Sequence, residues 1–81
     1  MKSKLNKQEL IEFIMAVKKN GDDIAIKLQI SNQEKPEIIM NYNASIDTKL
    51  KYYIETYDDN LIHKNNSEIR IIDAFGMKIP F

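Results

Sequence analysis

Residues 24–30 read Ile24-Ala25-Ile26-Lys27-Leu28-Gln29-Ile30. Apolar side chains at 24, 26, 28 and 30 alternate with Ala25, Lys27 and Gln29, the period-2 pattern of a strand with one face on a core. Downstream, Ser31-Asn32-Gln33-Glu34-Lys35 is polar turn material. Pro36 then opens a second extended run, at a position where its missing N–H does little harm. That run, Glu37 to Tyr42, also alternates, and Ile38, Met40 and Tyr42 are predicted to face inward with Ile39 outward. The two runs read as an antiparallel hairpin.

On the other side of the hairpin, Leu10, Phe13, Ile14 and Val17 recur at i, i+3, i+4, i+7, the buried stripe of an amphipathic helix. Asn6 suits its N-cap, Glu9 stands three residues on as in a capping box, and Leu5 can staple onto Leu10. Lys18 and Lys19 suit the negative end of the helix dipole, and Asn20-Gly21 supplies a left-handed exit. Ile11 and Met15 widen the apolar arc to roughly 200° at about 100° per residue, more than one sheet contact requires. That flank is expected to face solvent or a partner.

A second helix begins after Ser45 as cap, with Asp47 in its first turn. Ile46, Leu50, Tyr53, Ile54 and Tyr57 share its inner face, and Asp58-Asp59-Asn60 ends it. Leu61-Ile62-His63 reads as a loop anchor or a minor strand, and Lys64-Asn65-Asn66-Ser67 as a turn. A last strand runs from Glu68 to Phe75 with Ile69, Ile71 and, at its end, Phe75 inward; Gly76 interrupts it. The apolar tail from Met77 to Phe81 is expected to cover a core edge or a neighbouring subunit. The reading is one α+β domain over residues 1–81, in the order α-β-β-α-β. Its three-stranded antiparallel or mixed sheet carries both helices on one face, and the last strand runs opposite to the first.

The 81 residues hold enough apolar side chains (43 %) for one core and too few residues for two. With no cysteine, disulfides, iron–sulfur clusters and thiolate zinc sites are excluded. Gly21 and Gly76 are too far apart for a P-loop or a dinucleotide fingerprint, so no cofactor is expected. The single histidine, His63, lacks a metal-ligand spacing, and Ser45 and Ser67 read as cap and turn residues rather than nucleophiles. The pairs Asp22-Asp23 and Asp58-Asp59 lack the alternating acids of a calcium loop. The chain is therefore expected not to be an enzyme and to hold no metal. Apolar runs stop at about the length of Phe13-Ile14-Met15-Ala16-Val17, far short of the roughly 20 residues of a membrane span. Glu9 and Glu12 break any signal-peptide pattern, so a cytoplasmic location is expected.

What is left is binding. Twelve basic and twelve acidic side chains cancel. They do so evenly, with seven basic and six acidic in residues 1–40 and five and six in residues 41–81. That balance counts against both a nucleic-acid binder and a nucleic-acid mimic. A nucleic-acid role would use Lys2, Lys4, Lys7, Lys18 and Lys19 with the tyrosines as stacking surfaces. The favoured reading is a protein partner or a homodimer. Its expected surface combines Ile11 and Met15, the off-face Tyr52, and an outward patch of Ile39 and Ile72 formed if their strands are neighbours.

Ile (14), Lys (11) and Asn (8) make up 33 of the 81 residues, while Arg70 is the sole arginine. All three have AT-rich codons. In length, composition and α+β order the chain resembles the small accessory proteins of phages and mobile elements of low-GC Gram-positive bacteria. The resemblance implies a modulator or inhibitor of a host or defence protein.

Overall fold

The computed structural model describes residues 5–77. Helix α1 (Lys7–Lys19) is followed by strands β1 (Asp23–Ile30) and β2 (Glu37–Asn41). Helix α2 (Ile46–Thr56) and strand β3 (Ile69–Met77) complete the α-β-β-α-β order. A hairpin places β2 on one edge of β1, and the crossover through α2 returns β3 to the other edge. The sheet order is β2-β1-β3, with both neighbours antiparallel to β1. The alternating run at 24–30 is thus the central strand.

Helix α1 starts on a complete capping box. The Glu9 N–H donates to Asn6 Oδ1 at 2.8 Å, and the Asn6 N–H donates to Glu9 Oε1 at 3.0 Å. Two amides that the first helical turn would leave open are satisfied at once. Leu10, Ile14 and Val17 are buried, and Gly21 takes the left-handed exit at φ 78°. Val17 sits directly over Gly76, where an added Cβ would meet its Cγ2 at 3.3 Å. Gly76 does not interrupt the last strand as the sequence suggests. It stays in β3 opposite Ile24 and allows the end of α1 to come close.

Helix α2 starts differently from expectation. Ser45 occupies the cap position, but its hydroxyl donates to the Tyr42 carbonyl at 3.4 Å instead of accepting from a helix amide. The approach to the helix is held by Asn43. Its N–H donates to the buried Asp23 carboxylate at 2.8 Å, and its side-chain amide donates to the Asp22 carbonyl at 3.0 Å. Asp47 pairs with Lys18, joining the start of α2 to the end of α1. The helix ends at Thr56, and Tyr57 is already extended, bridging to His63. Ile62 bridges to Arg70, so residues 61–63 act as a minor strand on the outer edge of β3 where it begins.

The core lies between the helices and one face of the sheet. Leu10, Ile14 and Val17 of α1 meet Ile24, Ile26 and Leu28 of β1, with Ile46, Tyr53, Tyr57, Leu61 and Ile71 around them. One amide is buried among them: Asn41 accepts a hydrogen bond from the Tyr53 hydroxyl at 3.0 Å and donates to the Ile39 carbonyl at 3.2 Å. A buried amide left unpaired would be expensive, so this pair fixes which side of β2 meets the helices.

The register corrects the inward–outward assignment of two strands. Asn41 pairs with Ile24 and Ile39 with Ile26, so the odd-numbered positions of β2 lie on the helix side. Met40 pairs with Ala25 and Ile38 with Lys27, which puts both on the opposite face, the reverse of the sequence reading. In β3, Lys27 pairs with Asp73 but Leu28 pairs with Ile71, leaving Ile72 as the extra residue of a bulge. The bulge reverses the alternation. Ile69 and Ile71 face the helices as predicted, whereas Phe75, opposite Ala25, does not.

Burial also raises the pKa of two core tyrosines. Tyr57 is 2 % exposed, with Tyr53 and Tyr52 rings beside it at 6.0 and 6.4 Å. Burial first, and then the neighbouring phenols, push its hydroxyl up to about 12 from 10.0; burial likewise raises that of Tyr53. A phenol whose folded pKa is raised contributes stability in full below pH 10 and loses it as pH rises toward 12. Urea titrations should show unfolding free energy falling by about 2 kcal/mol over that window. Tyr57→Phe should flatten the fall, and an unchanged slope in that variant would refute the assignment.

Candidate functional site

The face of the sheet away from the helices has no layer over it among the described residues. Its apolar character comes from all three strands. β2 supplies Ile38 and Met40, and Tyr42 continues the alternation just past its end; β3 supplies Phe75 and Met77. Ile38, Tyr42, Phe75 and Met77, together with Ile72 at the bulge, are each between 37 and 56 % exposed. Between the edge strands lies Ala25, fully buried although no helix covers it, because its register partners Met40 and Phe75 flank it. With Ala25 covered, the apolar surface runs from Met40 on β2 to Phe75 on β3.

Polar groups take over along β1 beyond Ala25, where Lys27 stands between Ile38 and Asp73 and Gln29 stands opposite Arg70. At the near end Asp23 stands opposite Met77, its carboxylate occupied by the Asn43 N–H. An antiparallel sheet with one face on a core usually turns polar residues outward. Here the outward positions of the edge strands are apolar at Ile38, Met40, Phe75 and Met77, while the central strand keeps Asp23, Lys27 and Gln29 outward.

The five residues expected to form an interaction surface are not gathered. Ile11 is half-buried and Met15 exposed on α1, on the helix side of the molecule. Tyr52 is exposed on α2, its ring edge-on to Tyr53 at 5.3 Å. The anticipated patch of Ile39 and Ile72 does not form, because β1 separates their strands and Ile39 belongs to the helix side. Ile39 is partly exposed there, on a strand at the edge of the sheet. Sequence reasoning missed Ile38, Met40, Tyr42 and Phe75 as surface residues, and it placed Met77 in the tail rather than at the end of β3. The available signal was the run Ile38-Ile39-Met40, apolar on both parities, which marks a strand with two apolar faces.

The polar candidates resolve into structural roles. His63 Nδ1 accepts the Asn65 N–H at 3.1 Å, and its ring stands edge-on to Tyr57 at 5.2 Å. Asp58 accepts the N–H groups of Asn60 at 2.9 Å and Ile62 at 3.0 Å, shaping the loop after α2. Among the described residues no three His, Asp or Glu side chains gather as metal ligands would, and no helix is long and apolar enough to cross a membrane. An open depression of about 450 Å³ lies between Asn6, Lys7, Gln8, Asp59 and Asn60, where the Lys7 N–H is already bonded to the Asp59 carbonyl at 3.1 Å. Of the nucleic-acid candidates, Lys2 and Lys4 lie outside the described residues. Lys18 is paired with Asp47, and Tyr53 and Tyr57 are buried in the core. Of the expected tail from Met77 to Phe81, Met77 belongs to β3, and residues 78–81 lie outside the described residues. Compared with protein-family models, curated proteins and solved structures, the chain matches none.

Proposed function

We propose that the protein is a non-enzymatic interaction module that works by seating the uncovered face of its sheet on a protein surface, that of a partner or of a second copy. The observation that carries this reading is the apolar face built by Ile38, Met40, Tyr42, Phe75 and Met77, on the side that no helix covers. Contiguous apolar surface of this kind on a small domain is a recognised mark of a docking site. The AT-rich codon usage, and the resemblance to accessory proteins of phages and mobile elements, support a modulator or inhibitor of a host or defence protein as the setting for that activity.

The test is site-specific photo-crosslinking in cells. A photoreactive residue at position 38 or 75 should give discrete protein adducts, and one at position 15, on the outer side of α1, should give none. Adducts from position 15 with none from 38 or 75 would move the interface to the helix side and end this reading.

A further inference from the structure

We infer that the occupant of the open sheet face is a second copy of this chain, the two sheets packing face to face about a two-fold axis. This rests on the proposed interaction face and names what covers it.

Size is the first argument. The large side chains exposed on the face present on the order of 400–500 Å² of apolar surface, taking whole aromatic and aliphatic side chains at roughly 150–250 Å². One partner in a standard stable interface contributes about 800 Å², of which roughly 60 % is apolar. The face therefore supplies the apolar centre of one complete interface, with Lys27, Gln29, Arg70 and Asp73 left to form a polar rim.

Charge is the second. A two-fold interface places the same surface on both sides, so it tolerates only a face that complements itself. On this face Lys27 stands opposite Asp73, and Arg70 and Asp23 lie at its two ends, so two basic and two acidic groups surround the uncharged row of Met40, Ala25 and Phe75. A strongly charged partner would find no opposing field on this face. The chain as a whole has a formal net charge of zero, so two copies approach without long-range repulsion.

Architecture is the third. A three-stranded sheet with helices on one face and an exposed apolar patch on the other is half of a layered arrangement. A second sheet at about 10 Å completes it. The resulting dimer keeps α1 and α2 on its two outer sides.

The experiment is sedimentation velocity with light scattering across a dilution series. The wild type should have twice the 9.5 kDa chain mass at concentrations on the order of 100 μM and dissociate on dilution. Ile38→Glu on β2 and Phe75→Glu on β3 should each raise the dissociation constant by at least about thirty-fold. Both positions are exposed, so far-ultraviolet circular dichroism should stay unchanged. Met15→Glu should leave dimerisation intact. A wild type that stays monomeric throughout overturns the inference. So does a dimer weakened by Ile38→Glu alone, which would place the contact on the β2 edge. The mass of the adducts formed from position 38 separates the two proposals. Adducts of two copies support this inference; adducts with a different protein alone sink it while leaving the interaction face standing, and no adducts sink both.

Discussion

Ile26→Ala should lower the unfolding free energy by about 3–4 kcal/mol, while Ile38→Ala should lower it by less than about 1 kcal/mol. Both are isoleucines on adjacent strands, and the sequence assigns both to the core. Ile26 is fully buried on the central strand beneath α1, with Leu10 and Ile14 in the same cluster. Truncating it removes three carbons from a packed site and leaves a cavity that the sheet backbone cannot close. Ile38 is half exposed on the opposite face, where solvent fills the space that the side chain leaves. An 81-residue domain has a total stability of about 4–12 kcal/mol, so the loss at Ile26 is a large share of the whole. The comparison belongs at concentrations where dilution no longer changes the midpoint, so that the proposed self-association does not enter. Comparable losses at both positions, or a larger one at Ile38, would show that β2 pairs in the other register.

That contrast marks where the sequence stops being decisive. Helix α1 was fully legible, because its cap, its 3.6-residue stripe and its glycine exit are local signals that agree with one another. The 24–30 run was legible as a strand for the same reason, and so were the element order and the antiparallel direction of β3. The facing of β2 was not. In Glu37-Ile38-Ile39-Met40-Asn41-Tyr42 the count of apolar residues favours the even positions, and counting assumes that only one face is apolar. When the second face is apolar too, the choice passes to long-range partners. Here it falls to the Asn41–Tyr53 hydrogen bond, which joins residues on a strand and a helix that no short window compares. β3 failed by a different route. A bulge adds one residue and reverses every later side chain, and Ile72 carries no local mark of being the extra one. Both errors concealed the same feature, because each moved a surface residue into the core. The candidate site was therefore the least legible part of the molecule.

Leu61 should give the second large effect, together with an inversion of the usual order of alanine and glycine. Its side chain is fully buried in the core, yet its backbone sits at φ 62°, a left-handed conformation that costs an ordinary residue about 1–2 kcal/mol. The loop holds it there from several sides. The Leu61 N–H donates to the Asp58 carbonyl at 2.9 Å, and its own carbonyl accepts the Ile71 N–H at 2.9 Å. The Asp58 carboxylate binds the amides on either side of it in sequence, Asn60 and Ile62. Leu61→Ala should lose about 3–4 kcal/mol through the cavity while keeping the backbone strain. At most positions glycine would be worse than alanine by roughly 0.5–1 kcal/mol. At Leu61 glycine releases the strain, so Leu61→Gly should equal or exceed Leu61→Ala in stability although it removes one carbon more. Urea midpoints at constant m-value read the difference directly. Glycine falling about 1 kcal/mol below alanine would mean that the turn is not left-handed in solution. The consequence reaches the uncovered face of the sheet. The Leu61 carbonyl fixes the Ile71 amide one residue before the bulge that turns Phe75 outward. A variant that keeps this backbone geometry but loses core packing should therefore lose stability without redirecting the face.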